Sequence, residues 1–229
     1  KSFKHFHPKD ELILFSDKEV EHSKDPDILY RATPFFAWQL MKNGYDEVCK
    51  IDADSLILGN LDHIWEGDYD VAGVYNSNPR EMKKYPVTVW NIHPYAYLNN
   101  GFVVLKSKDF VKHWLGLCYS PYFPSYQMRE QDLLNILAYY SNEAVGGQYK
   151  LRILDEGNKW HGLRAKQYGA MFKMVDGKVI LPKNEEFPTD EDKEIVAYHF
   201  AGGHNAPDKM NYRIAFADEV CDFVGGILK

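Results

Sequence analysis

The stretch "YDEVCKIDADSLILGNLD", residues 45–62, decides how this chain is read. A short apolar strand, "EVCKI" at 47–51, runs straight into Asp52-Ala53-Asp54, and a second apolar run, "LIL", follows. Carboxylates at the end of a buried strand are costly unless a cation or hydrogen-bond donors meet them. The triplet itself is a weak signal. Asp-x-Asp occurs four times, at Asp25/Asp27, Asp52/Asp54, Asp68/Asp70 and Asp190/Asp192. Nineteen Asp in 229 residues give about one or two such triplets by chance. Three of the four lie in polar, turn-like settings, where solvated acids are the ordinary finding. Only Asp52/Asp54 follows an apolar strand, and ligands of open α/β sheets bind beyond the carboxyl ends of strands. Position makes this pair the candidate.

Working outward, "KSFKHFHPKDELILFSD" reads as the end of an amphipathic helix followed by a strand at "ELILF", 11–15. An α/β sheet normally begins with a strand before such a helix, so a preceding βα unit is expected to be missing. Residues 28–44 carry apolar side chains at helical spacing, with Pro34 marking a start or kink and Gly44 a stop. Strands are expected at 69–75, 101–107, 150–155 and 194–200, and helices at 108–118, 129–141 and 212–228. "MFKMVDGKVIL", 171–181, reads as a hairpin turning at Asp176-Gly177. Strands alternate with helices early and a hairpin follows, which predicts a single α/β domain over 1–229 with a mixed sheet.

Composition narrows the functional classes. The net charge is −6 and no long basic run occurs, which argues against nucleic acid or an acidic membrane as the main partner. Cys49, Cys118 and Cys221 form no metal-ligand pattern and cannot all pair within one chain, so a reducing cytoplasm is the expected setting. No apolar stretch reaches the length of a membrane span.

Hard cations such as Mg²⁺ and Mn²⁺ prefer carboxylate and phosphate oxygens. A second strand end adds a nitrogen ligand: "VAYHFAGGHN" places His199 after an apolar run, with Gly202 and Gly203 permitting close backbone approach and His204 in the same turn. An imidazole beside two carboxylates tilts the choice toward Mn²⁺.

Four segments in order resemble the GT-A-fold glycosyltransferases of family 8, the glycogenin-like and bacterial galactosyltransferase-like enzymes. They are "YRATPFFAWQLMKNGYDEVCKIDADSLILGNLDHIW", "YLNNGFVVLKS", "EQDLLNIL" and "HFAGGHNAPDKM". The resemblance implies a GT-A, Rossmann-like mixed sheet flanked by helices. It implies transfer of a hexose from a UDP-sugar to an acceptor hydroxyl of a glycan, lipid-linked or protein acceptor, with retention of configuration. Asp52, Asp54 and His199 would hold Mn²⁺ or Mg²⁺, with Ala53 between the acids at the donor. Arg31 would contact the donor, and Asn99, Asn100 and Gly101 would line the sugar cleft. Gln131 and Asp132 would lie near the anomeric carbon, Gln131 as a positioning group because an amide is a poor nucleophile. Without the resemblance, Asp132 reads as an early-turn acid complementing a helix dipole. The family's Lys after the Gly falls here on Asn205, leaving Gly202 and Lys209 as the diphosphate contacts, and its Pro-Trp is absent.

Two other readings compete. "IDADSLIL" also fits a haloacid-dehalogenase-like phosphohydrolase with Asp52 as nucleophile; that motif belongs on the first core strand, whereas a strand and a long helix are expected before it here. A non-catalytic GT-A-like glycan-binding domain would use the aromatic segment 85–97 as a sugar platform.

Overall fold

The computed structural model describes residues 1–19, 27–76, 92, 96–126, 128–155, 159–161, 171–183, 191–200 and 216–229. Two compact units emerge. One comprises Lys1–Glu11, Ile51–Glu66 and Leu154–Lys229, and the other Leu12–Lys50 and Gly67–Ile153.

In the second of these, α2 (Ile28–Lys42) buries Ala37 and Met41 and keeps Pro34 inside the helix. The missing N–H of Pro34 removes one rung of the helix without ending it. Gly44, at φ +100, supplies the left-handed residue beyond the helix end. A four-stranded sheet has the order β1-β4-β3-β5, built from β1 (Val48–Ile51), β3 (Val71–Tyr75), β4 (Leu98–Leu105) and β5 (Leu151–Ile153). Strands β3 and β4 run antiparallel, while β3 and β5 run parallel. Every residue of β4 is buried. That is why its sequence is almost continuously apolar after the two Asn. The helices α3 (Lys108–Cys118) and α4 (Glu130–Tyr140) cover the sheet with Phe110, Trp114, Leu134 and Leu137.

Two details of β4 position its polar residues. Its register against β3 slips between Gly73 and Val74, from Val103 to Asn99, so Asn100, Gly101 and Phe102 bulge from the ladder. Bulges of this kind re-aim side chains. Asn135 of α4 then fastens the strand start, because Oδ1 accepts from Leu98 N–H at 2.7 Å and Nδ2 donates to Leu98 C=O at 3.0 Å.

In the other unit, α1 (Ser2–Phe6) precedes β2 (Ser55–Ile57), which pairs antiparallel with β10 (Ala197–His199). A second sheet has the order β6-β9-β8-β7, from β6 (Lys159–Trp160), β7 (Lys173–Val175), β8 (Lys178–Leu181) and β9 (Lys193–Ile195). The hairpin β7–β8 turns at Asp176 (φ 49) and Gly177 (φ 76), the two positive φ values of a type I′ turn. A separate core of Leu58, Phe172, Val179, Tyr198, Phe216 and Val224 is closed by α5 (Asp218–Ile227).

Three expectations change. Residues 11–15 form no strand; Leu12, Ile13, Leu14 and Phe15 are exposed, and Phe15 stacks on Phe36 at 4.0 Å instead of entering a ladder. The apolar run carried the strand signal, but no strand among the described residues pairs with its backbone. The single strand at 194–200 is two, split at Val196, whose carbonyl accepts from Leu58 N–H at 2.9 Å. Finally, Leu56 and Ile57 of "LIL" lie in a strand of their own, β2, with Leu58 just beyond it.

Replacing Asn135 with Ala leaves the buried N–H and C=O of Leu98 without their partners. We expect a loss of about 2–4 kcal/mol, at roughly 1–3 kcal/mol per orphaned buried group. Urea denaturation reads it as a lowered midpoint with unchanged slope.

Candidate active site

The strand β1 ends at Ile51, and Asp52 and Asp54 flank a tight turn in which Ser55 N–H donates to Asp52 C=O at 3.0 Å. Chain continuation into β2 fixes the rest. In the β2–β10 ladder His199 stands opposite Ser55, and Phe200 N–H donates to Asp54 C=O at 2.9 Å. The imidazole is thereby held over both acids. His199 Nε2 lies 3.0 Å from Asp54 Oδ1 and 3.3 Å from Asp52 Oδ2. His199 is buried, whereas Asp52 and Asp54 are half-buried.

Burial by itself pushes the pKa of His199 down. The hydrogen bonds and negative charges of Asp52 and Asp54 outweigh it, and the net shift is upward. In the metal-free chain the two carboxylates thus favour the imidazolium form over the neutral ring.

The donor set is one imidazole nitrogen and two carboxylates, all within 4.8 Å of one another. It fits a small divalent cation of Mg²⁺ or Mn²⁺ type, with the partly exposed acids leaving room for further oxygen ligands. Ala53 sits in the intervening turn. Gly202, His204 and Lys209 lie outside the described residues.

The remaining candidates belong to the second unit, where Asn99, Asn100, Gly101 and Gln131 form a polar group around the β4 bulge. Gln131 Oε1 accepts from Asn100 N–H at 2.9 Å, and Asn99 Oδ1 accepts from Gly101 N–H at 2.6 Å. Asn100 Nδ2 donates to Glu130 Oε1 at 3.0 Å, and the Lys50 ammonium donates to Asn100 C=O. Buried Asn100 Oδ1 and Gln131 Nε2 make no close hydrogen bond among the described residues, although the Gln131 side chain also faces the Tyr97 hydroxyl. Such atoms cost free energy unless a ligand or water satisfies them.

Asp132 is engaged at both oxygens. Oδ2 accepts from Met128 N–H at 2.8 Å and Oδ1 from the Tyr97 hydroxyl at 2.7 Å. The first of these is the helix-start role an early-turn acid is suited for. Ahead of it, Arg129 holds φ 50, a strained value for a side-chain-bearing residue. Its guanidinium bonds Pro124 C=O and Tyr126 C=O.

Arg31 is buried, donates from Nε to Cys118 C=O at 2.7 Å, and stacks over Tyr119 and Phe123 at 5.0 and 4.5 Å. These contacts account for its burial without a ligand. Sequence reasoning missed Lys50, Glu130, Tyr97 and Asn135. Lys50 and Glu130 neighbour chosen motifs directly, but only the bulge of β4 brings them to Asn100.

No family model matches the chain, and no curated protein matches it. Among solved structures it is similar to the galactosyltransferase LgtC in complex with donor and acceptor sugar analogs. The TM-score is 0.57 at 14% identity, covering 100% of this chain and 90% of that one. The chain has the GT-A fold. Identity this low speaks for the fold alone. A glycosyltransferase involved in the glycosylation of the major capsid of PBCV-1 has a TM-score of 0.49 at 11% identity, covering 84% and 79%. The WbbM bifunctional glycosyltransferase in its apo structure has 0.47 at 15%, covering 82% of this chain and 37% of that one. Both scores are too low to argue from. In the GT-A chain, no helix among the described residues is long and apolar enough to cross a membrane.

The upward shift of His199 has a testable sign. Because the folded state favours the imidazolium, its stabilisation is complete below the ordinary His value of about 6.5. It fades as pH rises through the higher folded-state value. NMR titration of the metal-free protein is expected to place His199 above ordinary His. With Asp52→Asn and Asp54→Asn combined, only burial remains, and the value is expected to fall below it.

Proposed function

We propose that the chain is a family 8-like glycosyltransferase acting as one catalytic domain over 1–229. It would move a hexose from a UDP-sugar to an acceptor hydroxyl, with retention. The observation that carries this reading is His199 held within 3.3 Å of both Asp52 and Asp54 on a GT-A fold. A nucleophilic Asp52, as in the phosphohydrolase reading, would be tied to an imidazole rather than left to attack.

Roles follow from the chemistry of each side chain. Asp52, Asp54 and His199 would hold Mn²⁺ or Mg²⁺, with the Ala53 backbone at the donor. That cation supplies charge stabilisation for a departing diphosphate. Arg31, Gly202 and Lys209 are assigned to the donor, and the cytoplasm is the proposed setting. Asn99, Asn100 and Gly101 would meet the sugar. Asn100 Oδ1 is a buried acceptor matched to a sugar hydroxyl, and Gln131 Nε2 a buried donor matched to a sugar oxygen. Asp132 would act from behind Gln131 by fixing the helix start through Met128 and Tyr97.

In the proposed reaction the bond between the anomeric carbon and the β-phosphate oxygen breaks. The acceptor oxygen bonds to that carbon from the same face, and its proton passes to the departing phosphate oxygen. Gln131, an amide, positions the sugar during this exchange and takes no part in bonding.

Isothermal titration with UDP, with and without Mn²⁺, tests the reading. We expect UDP binding that requires Mn²⁺ and is lost in Asp54→Ala. Donor-sugar hydrolysis or transfer should fall by on the order of 10²-fold or more in that variant. Turnover of a phosphate monoester without UDP binding would sink the proposal. Metal-dependent UDP binding with no transfer across a broad acceptor screen would point instead to a glycan-binding domain.

A further inference from the structure

Among the described residues, two histidine clusters lie outside the acidic centre, and their proton arrangements separate them. In the first, His7 faces Asp10 and Asp62. Its Nε2 accepts from Leu61 N–H at 3.0 Å, so the ring proton sits on Nδ1 and points to Asp10 at 2.9 Å. Neither ring nitrogen keeps a lone pair for a metal. This cluster ties the chain after α1 to the loop after β2.

The second cluster is different. His63 lies in a 3₁₀ turn, Asp62–Trp65, and His161 follows β6. Their Nε2 atoms approach to 2.6 Å, with ring planes tilted by 46°. Two imidazole lone pairs cannot face each other at that distance, so either a proton or a cation must lie between them. Asp155 stands behind His161. Its Oδ1 accepts from the His161 backbone N–H at 2.8 Å and lies 3.6 Å from His161 Nδ1. The backbone bond to Asp155 fixes where the His161 ring sits and turns its Nε2 toward His63. At 3.6 Å the carboxylate is beyond direct hydrogen-bonding reach of the ring nitrogen, so it positions His161 through the backbone N–H. The His161 side chain is fully buried and Asp155 is half-buried, so packing also holds the ring in place.

We propose that His63 and His161 form a second cation site, for a borderline transition-metal ion such as zinc, with Asp155 as the positioning residue behind His161. Two neutral imidazoles suit zinc, copper or nickel rather than the oxygen-seeking Mg²⁺ or Mn²⁺ of the acidic centre. Bonds of about 2.0–2.1 Å in a tetrahedral arrangement place two nitrogens roughly 3.3 Å apart. The rings need part by less than about 1 Å, and waters would complete the shell. None of the three residues belongs to the acidic centre, so this site stands or falls independently of sugar transfer.

The test uses zinc itself. In Asp54→Ala protein, which disables the acidic centre, competition against a chromophoric chelator should reveal one bound zinc per chain. X-ray absorption fine structure of the loaded protein should show two imidazole ligands. Adding His63→Ala, at a half-buried position, should abolish that binding. Adding Asp155→Ala instead removes the oxygen that holds the His161 N–H and should weaken zinc by roughly 10- to 100-fold. Thermal melts in chelator confirm that each variant folds. Absence of zinc binding in folded Asp54→Ala protein, or undiminished binding once His63 is removed, overturns the proposal and leaves a proton shared between the rings.

Discussion

The acidic centre depends on the antiparallel pairing of Ala197–His199 with Ser55–Ile57. A β ladder alternates faces, so a slip of one residue would turn His199 away from the acids. The backbone bond from Phe200 N–H to Asp54 C=O pins that register at the point where it matters. Without the imidazole, Asp52 and Asp54 would be adjacent like charges at a strand end. With it, the same two acids become a negatively charged seat for one cation. The free energy that holds the seat together comes from the surrounding core, where Leu58, Tyr198, Phe172 and Phe216 are buried.

The second unit solves a related problem with neutral groups. A bulge in a fully buried strand exposes backbone polar groups where water cannot reach, and Gln131, Asn135 and Lys50 meet several of them. Trp114 adds a bond from Nε1 to Glu130 C=O at 2.9 Å, tying α3 to the start of α4. Strain is stored at the same place, in the positive φ of Arg129. Within that network the buried Asn100 Oδ1, which meets no hydrogen-bond donor among the described residues, is informative. In a low-dielectric setting such an atom is costly unless something binds there.

Helices and most strands were legible because periodicity is local. The helix at 108–118 and the hairpin at Asp176-Gly177 coincide with the structure, since the spacing of apolar residues and the turn chemistry each specify the backbone nearby. The failures share one cause. Residues 11–15 look like a strand and are not, residues 194–200 look like one strand and are two, and β2 was passed over. In each case the outcome depends on which distant backbone supplies the hydrogen bonds, and a strand exists only where a partner lies alongside. Arg31 makes the same point for a side chain, because its stacking on Tyr119 and Phe123 joins segments far apart in the chain.

By itself the sequence determined the chemical inventory: two acids at a strand end, a histidine at another strand end, and the Asn-Gly and Gln-Asp pairs at element starts. Residue type and hydrophobic pattern are local properties, so these could be read directly. Tertiary structure alone decided that His199 reaches both acids, that Asp132 is occupied by Met128 and Tyr97, and that His63 meets His161. Those contacts depend on strand register, a bulge and loop closure between distant segments, and only the folded backbone fixes distances of that kind.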